Sequence, residues 1–324
     1  MANEIIPCAQ HELNRIGFNA LPVAIQSSGE AGIRRFLEFF AVTIRNKNTR
    51  LAYAQAVGQF FDWCEIQGVQ TLDGIQPVVV AGYIERHRGS PPTVKQHLAA
   101  IRMLFDWLVI GHVVSLNPAT SVRGPKHVVK RGKTPVLTAD EARRLLDAID
   151  VSTVIGLRDR ALVGVLVYSF ARISAAVTMK IDDFYAEGKR WWLRLHEKGG
   201  KRHEVPAHHN ADQYLDAYLL AAGIGNEKAS PLFRTIDRSG RITGRSLTRN
   251  DALRMIKRRA SAAGLSEKTC CHTFRATGIT AYLENGGTIE KAQAIAAHES
   301  PRTTKLYDRT SDQMTLDEIE KIII

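Results

Sequence analysis

The sequence predicts a mainly α-helical protein in two parts, an N-terminal helical bundle and an α-rich domain carrying a small antiparallel β-sheet. Three observations carry this reading. Apolar residues recur at helical spacing through most of the chain, in segments with their own start and stop residues. Two alternating segments, Trp191 to His196 and Arg202 to Pro206, flank Gly199-Gly200 as the arms of a hairpin. From Leu116 to Pro135 the periodicity stops, and Pro118, Gly124, Pro125, Gly132 and Pro135 mark an extended linker. A chain of 324 residues, 44% hydrophobic, is too long for one ordinary core and suits two domains.

Residues 1–26 show no period and read as a loosely ordered arm. The bundle is expected over 27–112. Ser28 can cap a helix whose Ile33, Phe36, Leu37 and Phe40 share a face. Asn48-Thr49 opens a second, with Leu51, Val57, Phe60, Phe61 and Cys64 apolar and Gly68 as its stop. Pro77 starts a third through Tyr83 and Ile84. Pro91-Pro92-Thr93 opens a fourth, with Leu98, Ile101, Leu104, Phe105 and Leu108 inward and Gly111 past its end. The basic linker occupies 113–135. The second domain, 136–311, opens on the capping box Thr138 to Glu141. An apolar helix from Arg158 to Phe170 follows, then the hairpin, then helices over 211–222, 246–263, 272–285 and 288–297. A tail helix over 312–324 has Thr315 and Glu318 as a capping box and puts Leu316, Ile319, Ile322 and Ile323 on one face. That face is expected to be covered, either by the chain's own second domain or by a neighbouring protomer.

Lys plus Arg number 44 against 33 Asp plus Glu, a formal charge of +11 that favours a polyanionic partner. The charge is clustered. Five basic residues and no acid lie from Arg123 to Lys133, and nine lie from Arg234 to Arg259 against Asp237 and Asp251. A solvated charged face is the plain alternative for each. No run of about 18 apolar residues suits a membrane span. The first residues lack the basic and apolar regions of a secretory signal, so a cytoplasmic protein is expected. Cys8, Cys64, Cys270 and Cys271 have no framework spacing and read as reduced thiols. No phosphate loop of the G-x-x-x-x-G-K-[ST] type occurs, and His208-His209 lack a second ligand pair, so neither a cofactor nor a metal is expected.

Four fragments stand out, in this order: Ala171-Arg172-Ile173-Ser174, Glu197-Lys198-Gly199-Gly200-Lys201-Arg202, His272-Thr273-Phe274-Arg275, and His298 followed nine residues later by Tyr307. Asn117-Pro118, Gly124-Pro125-Lys126, Leu137 to Ala142 and Leu157 to Leu162 add to them. Together they resemble the tyrosine recombinases of the phage integrase family, from about Ser27 to Arg309. The resemblance implies the DNA breaking-rejoining fold, with the second domain catalytic. It implies a homo-tetramer on double-stranded DNA with an inverted-repeat core site, with or without an accessory or partner recombinase. Strands would be exchanged through a Holliday junction, in integration, excision or resolution of a mobile element or replicon.

The chemistry explains the residue types. Attack on a phosphodiester concentrates charge on the non-bridging oxygens, which fixed cations stabilise. Arginine suits this, since its planar fork stays charged. Arg172 and Arg275 would supply two forks. His298 could add a hydrogen bond to the phosphate. His272, three residues before Arg275, could act as a general base or orient the phosphate. Tyr307 matches the nucleophile that forms a 3′-phosphotyrosyl bond. Lys198 matches the general acid for the leaving 5′ oxygen, with Lys201 as competitor. A surface arginine or a structural histidine is the ordinary alternative for any of these taken singly. Two positions depart from the family pattern: its acid three residues after the first arginine is Ala175 here, and the glycine before its last histidine is Ala297. Two rivals remain, a type IB topoisomerase relaxing one duplex and a DNA-binding relative that has lost catalysis.

Overall fold

The computed structural model describes residues 18, 20–129, 132–197, 200–308 and 320. The chain divides into two compact units, the first ending at Val128 and the second beginning at Val129. Lys198, Gly199 and the tail over 312–324, apart from residue 320, lie outside the described residues. Among those described, no helix is long and apolar enough to cross a membrane.

The first unit holds α1 (Val23–Gln26), α2 (Gly29–Glu38) with a π turn after it (Phe39–Thr43), α3 (Lys47–Ile66), α4 (Pro77–Arg86) and α5 (Pro91–Ile110). Pro77 and Pro91 start their helices because a first-turn residue needs no N–H donor. The cap of α3 is Asn46, two residues before the expected Asn48; its Oδ1 accepts from the N–H groups of Asn48 (3.0 Å) and Thr49 (3.2 Å). Ser28 does not cap α2 with its side chain, since its hydroxyl donates back to the Ile25 carbonyl. Phe36, Phe40, Phe60, Phe61, Ile101 and Phe105 make the core.

Two expectations change here. The arm is not loose over its whole length, because Phe18, Ala24 and Ile25 are buried in that core. Phe18 meets Phe36 and Phe40 at ring distances of 5.2 and 5.4 Å. Nor is the linker free from residue 113: Val114, Ala119 and Val122 are buried in the same core. Arg102 of α5 donates to the carbonyls of Ala119 and Val122. The Asn117 amide donates to Arg102 O (3.0 Å) and to Asp106 (2.7 Å). These bonds need no helical or strand period, so periodicity could not reveal them.

The second unit begins with α6 (Ala139–Asp147), whose capping box of Thr138 and Glu141 forms as expected. Next come α7 (Val154–Tyr168) and α8 (Ile173–Thr178). The sheet has three strands, β1 (Phe184–Glu187), β2 (Arg190–His196) and β3 (Arg202–Pro206), in sequential antiparallel order. Leu193 pairs with Phe184 on one side and Val205 on the other, and all three are buried. After α9 (His209–Ala222) comes a second hairpin, β4 (Arg234–Ile236) and β5 (Ile242–Ser246). The chain continues through α10 (Arg249–Ala262), α11 (Cys271–Glu284), α12 (Ile289–Ile295) and α13 (Pro301–Lys305). The sequence reading missed β1, β4 and β5, short strands whose few residues carry little alternation. It also began the helix α10 three residues early, at Ser246, which ends β5.

Helix α7 is the axis of this unit, with Ala161, Leu162, Val163, Val165 and Leu166 all buried. It also buries charge. Asp159 is fully enclosed, with one oxygen accepting from Arg158 (3.0 and 2.6 Å) and the other from Arg259 of α10 (3.0 and 2.7 Å). Arg158 donates further to the Arg234 carbonyl, and Arg234 is itself buried against Glu227. Two of the nine clustered basic residues, Arg234 and Arg259, therefore serve the interior. The other seven are exposed. Cys64 and Cys271 are buried free thiols, pushed up to about 12 and about 11 by desolvation.

Candidate active site

The far end of α7 and the middle of α11 approach so closely that only glycine fits between them. A Cβ on Gly278 would strike the Val167 carbonyl and the Phe170 ring. Gly278→Ala should therefore cost about 1–3 kcal/mol, read as a lower urea midpoint, because a backbone carbonyl cannot swing away as a side chain would. This approach places Arg275, three residues before Gly278, under the segment that leads to Arg172.

Arg275 is 1% exposed. Its two terminal nitrogens donate to the Phe170 carbonyl and, at 2.6 Å, to the Ala296 carbonyl. Its Nε is buried without a hydrogen-bond partner. Desolvation, then the like charge of Arg172, push its pKa down to about 10, against the pull of Tyr307 and Glu197. The two carbonyls belong to turns in which left-handed residues, Phe170 (φ 53°) and Ala297 (φ 48°), redirect the chain toward Arg172 and His298. Glycine is favoured at such an angle, which gives physical content to the departure at 297: alanine costs roughly 1 kcal/mol there.

Arg172 sits at the N-cap of α8 with its side chain 36% exposed, and it pairs with Glu197 at the end of β2. His298 is buried; its Nδ1 lies 2.9 Å from the hydroxyl of Thr304 on α13. Tyr307 follows α13, 7% exposed, with its ring parallel to His298 (5.8 Å, 9°). Its Oη lies 2.7 Å from Nε2 of His272, the second residue of α11. Thr280 of α11 holds the Tyr307 carbonyl at 2.8 Å. Five of the six expected residues, Arg172, His272, Arg275, His298 and Tyr307, thus gather from α8, α11 and the segments after α12 and α13. The sixth, Lys198, lies outside the described residues; its competitor Lys201 is exposed.

Sequence reasoning missed Glu197, Thr280, Thr304 and His203, whose Nε2 meets the Ile295 carbonyl at 2.9 Å and ties β3 to α12. Thr304 lies six residues after His298 and three before Tyr307, a spacing that could have flagged it. Glu197 stands inside the hairpin fragment, but its contact with Arg172, like those of Thr280 and His203, is set only by the tertiary fold.

The cations also set the histidines. Burial, and then Arg275 and Arg172, hold His272 below the usual imidazole value. Burial and then Arg275, Arg172 and His272 bring His298 down to about 3. A neutral imidazole at Tyr307 can accept a proton, and that is the state favoured at neutral pH. The stability effect has a definite sign. Unfolding lets His298 take up a proton below about 6.5, so the stability from its neutral burial is complete above that pH and is lost as pH falls toward about 3. Urea midpoints measured from pH 7 to pH 4 should fall more steeply in the native chain than in His298→Asn, by at most about 1.4 kcal/mol per pH unit. Equal slopes in the two proteins would contradict the assignment.

Both units of the chain are similar to parts of known proteins. Residues 135–314 match the phage integrase family, and residues 33–110 match the phage integrase N-terminal SAM-like domain. The tyrosine recombinase XerD of Corynebacterium glutamicum is 30% identical over 281 residues, covering 82% of this chain and 89% of that protein. Among solved structures, the XerH site-specific recombinase in a post-cleavage complex with palindromic difH substrate superimposes with a TM-score of 0.70 at 20% identity, over 95% of this chain and 85% of that one. A lambda integrase tetramer bound to a Holliday junction gives 0.66 at 18% identity, over 96% and 89%. With the family match alone spanning more than half of its residues, the chain belongs to the phage integrase family, the tyrosine-type site-specific recombinases.

Proposed function

We propose that the chain cuts and rejoins DNA through a 3′-phosphotyrosyl bond at Tyr307. The observation that carries this is the 2.7 Å contact between Tyr307 Oη and His272 Nε2, with the His298 ring stacked on Tyr307 and the charges of Arg172 and Arg275 close by. His272 takes the phenolic proton as the Tyr307 oxygen attacks phosphorus. The bond from phosphorus to the 5′ oxygen breaks, and Lys198 protonates that oxygen. Arg172 and Arg275 meet the charge on the non-bridging oxygens. His298, with Nδ1 engaged by Thr304, has Nε2 left to donate to the same phosphate. The reverse steps rejoin the strands, with the bond energy kept in the phosphotyrosine.

The DNA would be a duplex with an inverted-repeat core site. Arg245, Arg254 and Arg258 line a depression of about 520 Å³ between the β4–β5 hairpin and α10, where a phosphate backbone would find charge. The tetramer solved on a Holliday junction supports the same assembly for strand exchange here, in integration, excision or resolution of a mobile element or replicon.

Nicked duplexes built on the inverted repeats that flank the gene test this. The protein should become linked to the fragment carrying the 5′ label, and the linked peptide should contain Tyr307. Linkage through a 5′ phosphate, or through Tyr282, would overturn the reading. Because the cations are the chain's own side chains, excess chelator should leave the adduct intact. Lys198→Ala should slow cleavage by about 10²- to 10⁴-fold, the range of general acid catalysis, and a 5′-bridging sulfur should restore it. Rescue in Lys201→Ala, with none in Lys198→Ala, would transfer the role.

A further inference from the structure

We infer that Glu197 is the positioning residue for Arg172 and that it ties this arginine to the hairpin carrying Lys198. The inference rests on the phosphotyrosine reading of the site. Three observations carry it. Glu197 is a carboxylate only 7% exposed, and burying a charge is costly unless it is paired. Its partner is Arg172, through Nη1 and Oε2. Its backbone N–H donates at 2.8 Å to the Lys201 carbonyl, closing the β2–β3 turn immediately beside Lys198.

The site needs such an anion. Arg275, Arg172, His272 and His298 all bear on one another electrostatically, and the arginines depress both histidines. Like charges at close range drive Arg172 outward, and its side chain is the more exposed of the two arginines. A carboxylate on one side of its fork fixes the rotamer and leaves the remaining N–H groups for a phosphate. The acid expected one turn on from Arg172 is Ala175, which is fully buried. Glu197 reaches Arg172 from the sheet instead of from α8. The consequence differs from that of an acid on the arginine's own helix, since here the first arginine and the general acid hairpin move together.

The test compares cleavage of nicked duplexes carrying an ordinary scissile phosphate or a methylphosphonate, which lacks the non-bridging charge. Glu197→Gln keeps the shape and removes the charge. It should cleave the phosphodiester about 10-fold more slowly than the native chain, since a charge-assisted bond is roughly twice as strong as a neutral one. Binding to a half-site and the melting temperature should stay unchanged. On the methylphosphonate the difference should shrink below about 3-fold, because Arg172 then has less charge to stabilise. A merely structural role would slow both substrates equally, and that result overturns the inference. So does a Glu197→Gln protein that cleaves as fast as the native chain, or faster, which would mean the pair holds Arg172 back. If Glu197→Gln does not fold, Glu197→Asp is compared on the same two substrates, with the same narrowing required. A native chain that forms no adduct at Tyr307 refutes the underlying reading, whereas an active native chain with an indifferent Glu197→Gln refutes only this inference.

Discussion

Tyr307→Phe should trap no covalent protein–DNA adduct on a nicked duplex while binding that duplex as the native chain does. The substitution is unusually clean. The ring remains parallel to His298, and Thr280 still holds the backbone carbonyl, so only the hydroxyl and its 2.7 Å partner at His272 are lost. His272 is only partly desolvated and keeps access to solvent, so water can replace the missing partner at little cost. The rate should fall by roughly 10⁶-fold, the scale on which removing a nucleophile acts in other enzymes. Denaturing gels read this directly. An adduct that persists in the Phe variant would move attention to Tyr282, which packs at 6.1 Å against Phe170.

The largest stability effect is expected far from the chemistry. Asp159→Ala should destabilise the protein by about 3–5 kcal/mol, the usual cost of leaving buried charge uncompensated. Both Asp159 oxygens are used, each by two N–H donors of one arginine, and the side chain is 0% exposed. Its loss would leave Arg158, 5% exposed, with only the Arg234 carbonyl. It would also release Arg259 from the seam between α7 and α10. Asp159→Asn should be milder, since one oxygen can still accept. Urea unfolding of the isolated chain measures both, and a loss below about 1 kcal/mol in the Ala variant would show that solvent reaches the pair.

Much of this architecture could be read from residues near one another in the chain. The proline starts of α4 and α5, the Thr138–Glu141 box and the β2–β3 hairpin all follow from local rules, and all appear in the structure. The features that escaped are those set by distant partners. Val114, Ala119 and Val122 looked like linker because the contacts that bury them come from α5 rather than from their own spacing. At the site, five residues of the expected set were legible as types and intervals. The groups that hold them in place were not. Thr304 and Thr280 are ordinary threonines in sequence, and only folding sets one against His298 and the other against Tyr307. Glu197 was visible within the hairpin fragment, yet nothing local indicated that its carboxylate would meet Arg172, 25 positions earlier. The vacancy at Ala175 was legible; its replacement was not.

The bonds from Arg275 to the Phe170 and Ala296 carbonyls have a bearing on how such an enzyme can decay. A guanidinium that clasps two turns of the main chain cannot be lost without loosening both, so drift at this codon removes the folded protein along with its activity. Tyr307 carries no such obligation through its hydroxyl. A lineage losing catalysis while keeping its hold on DNA would therefore shed the tyrosine first and the inner arginine last. Relatives that retain Arg275 but lack Tyr307 should still be intact binding proteins, and the opposite combination should be rare among genes that remain expressed.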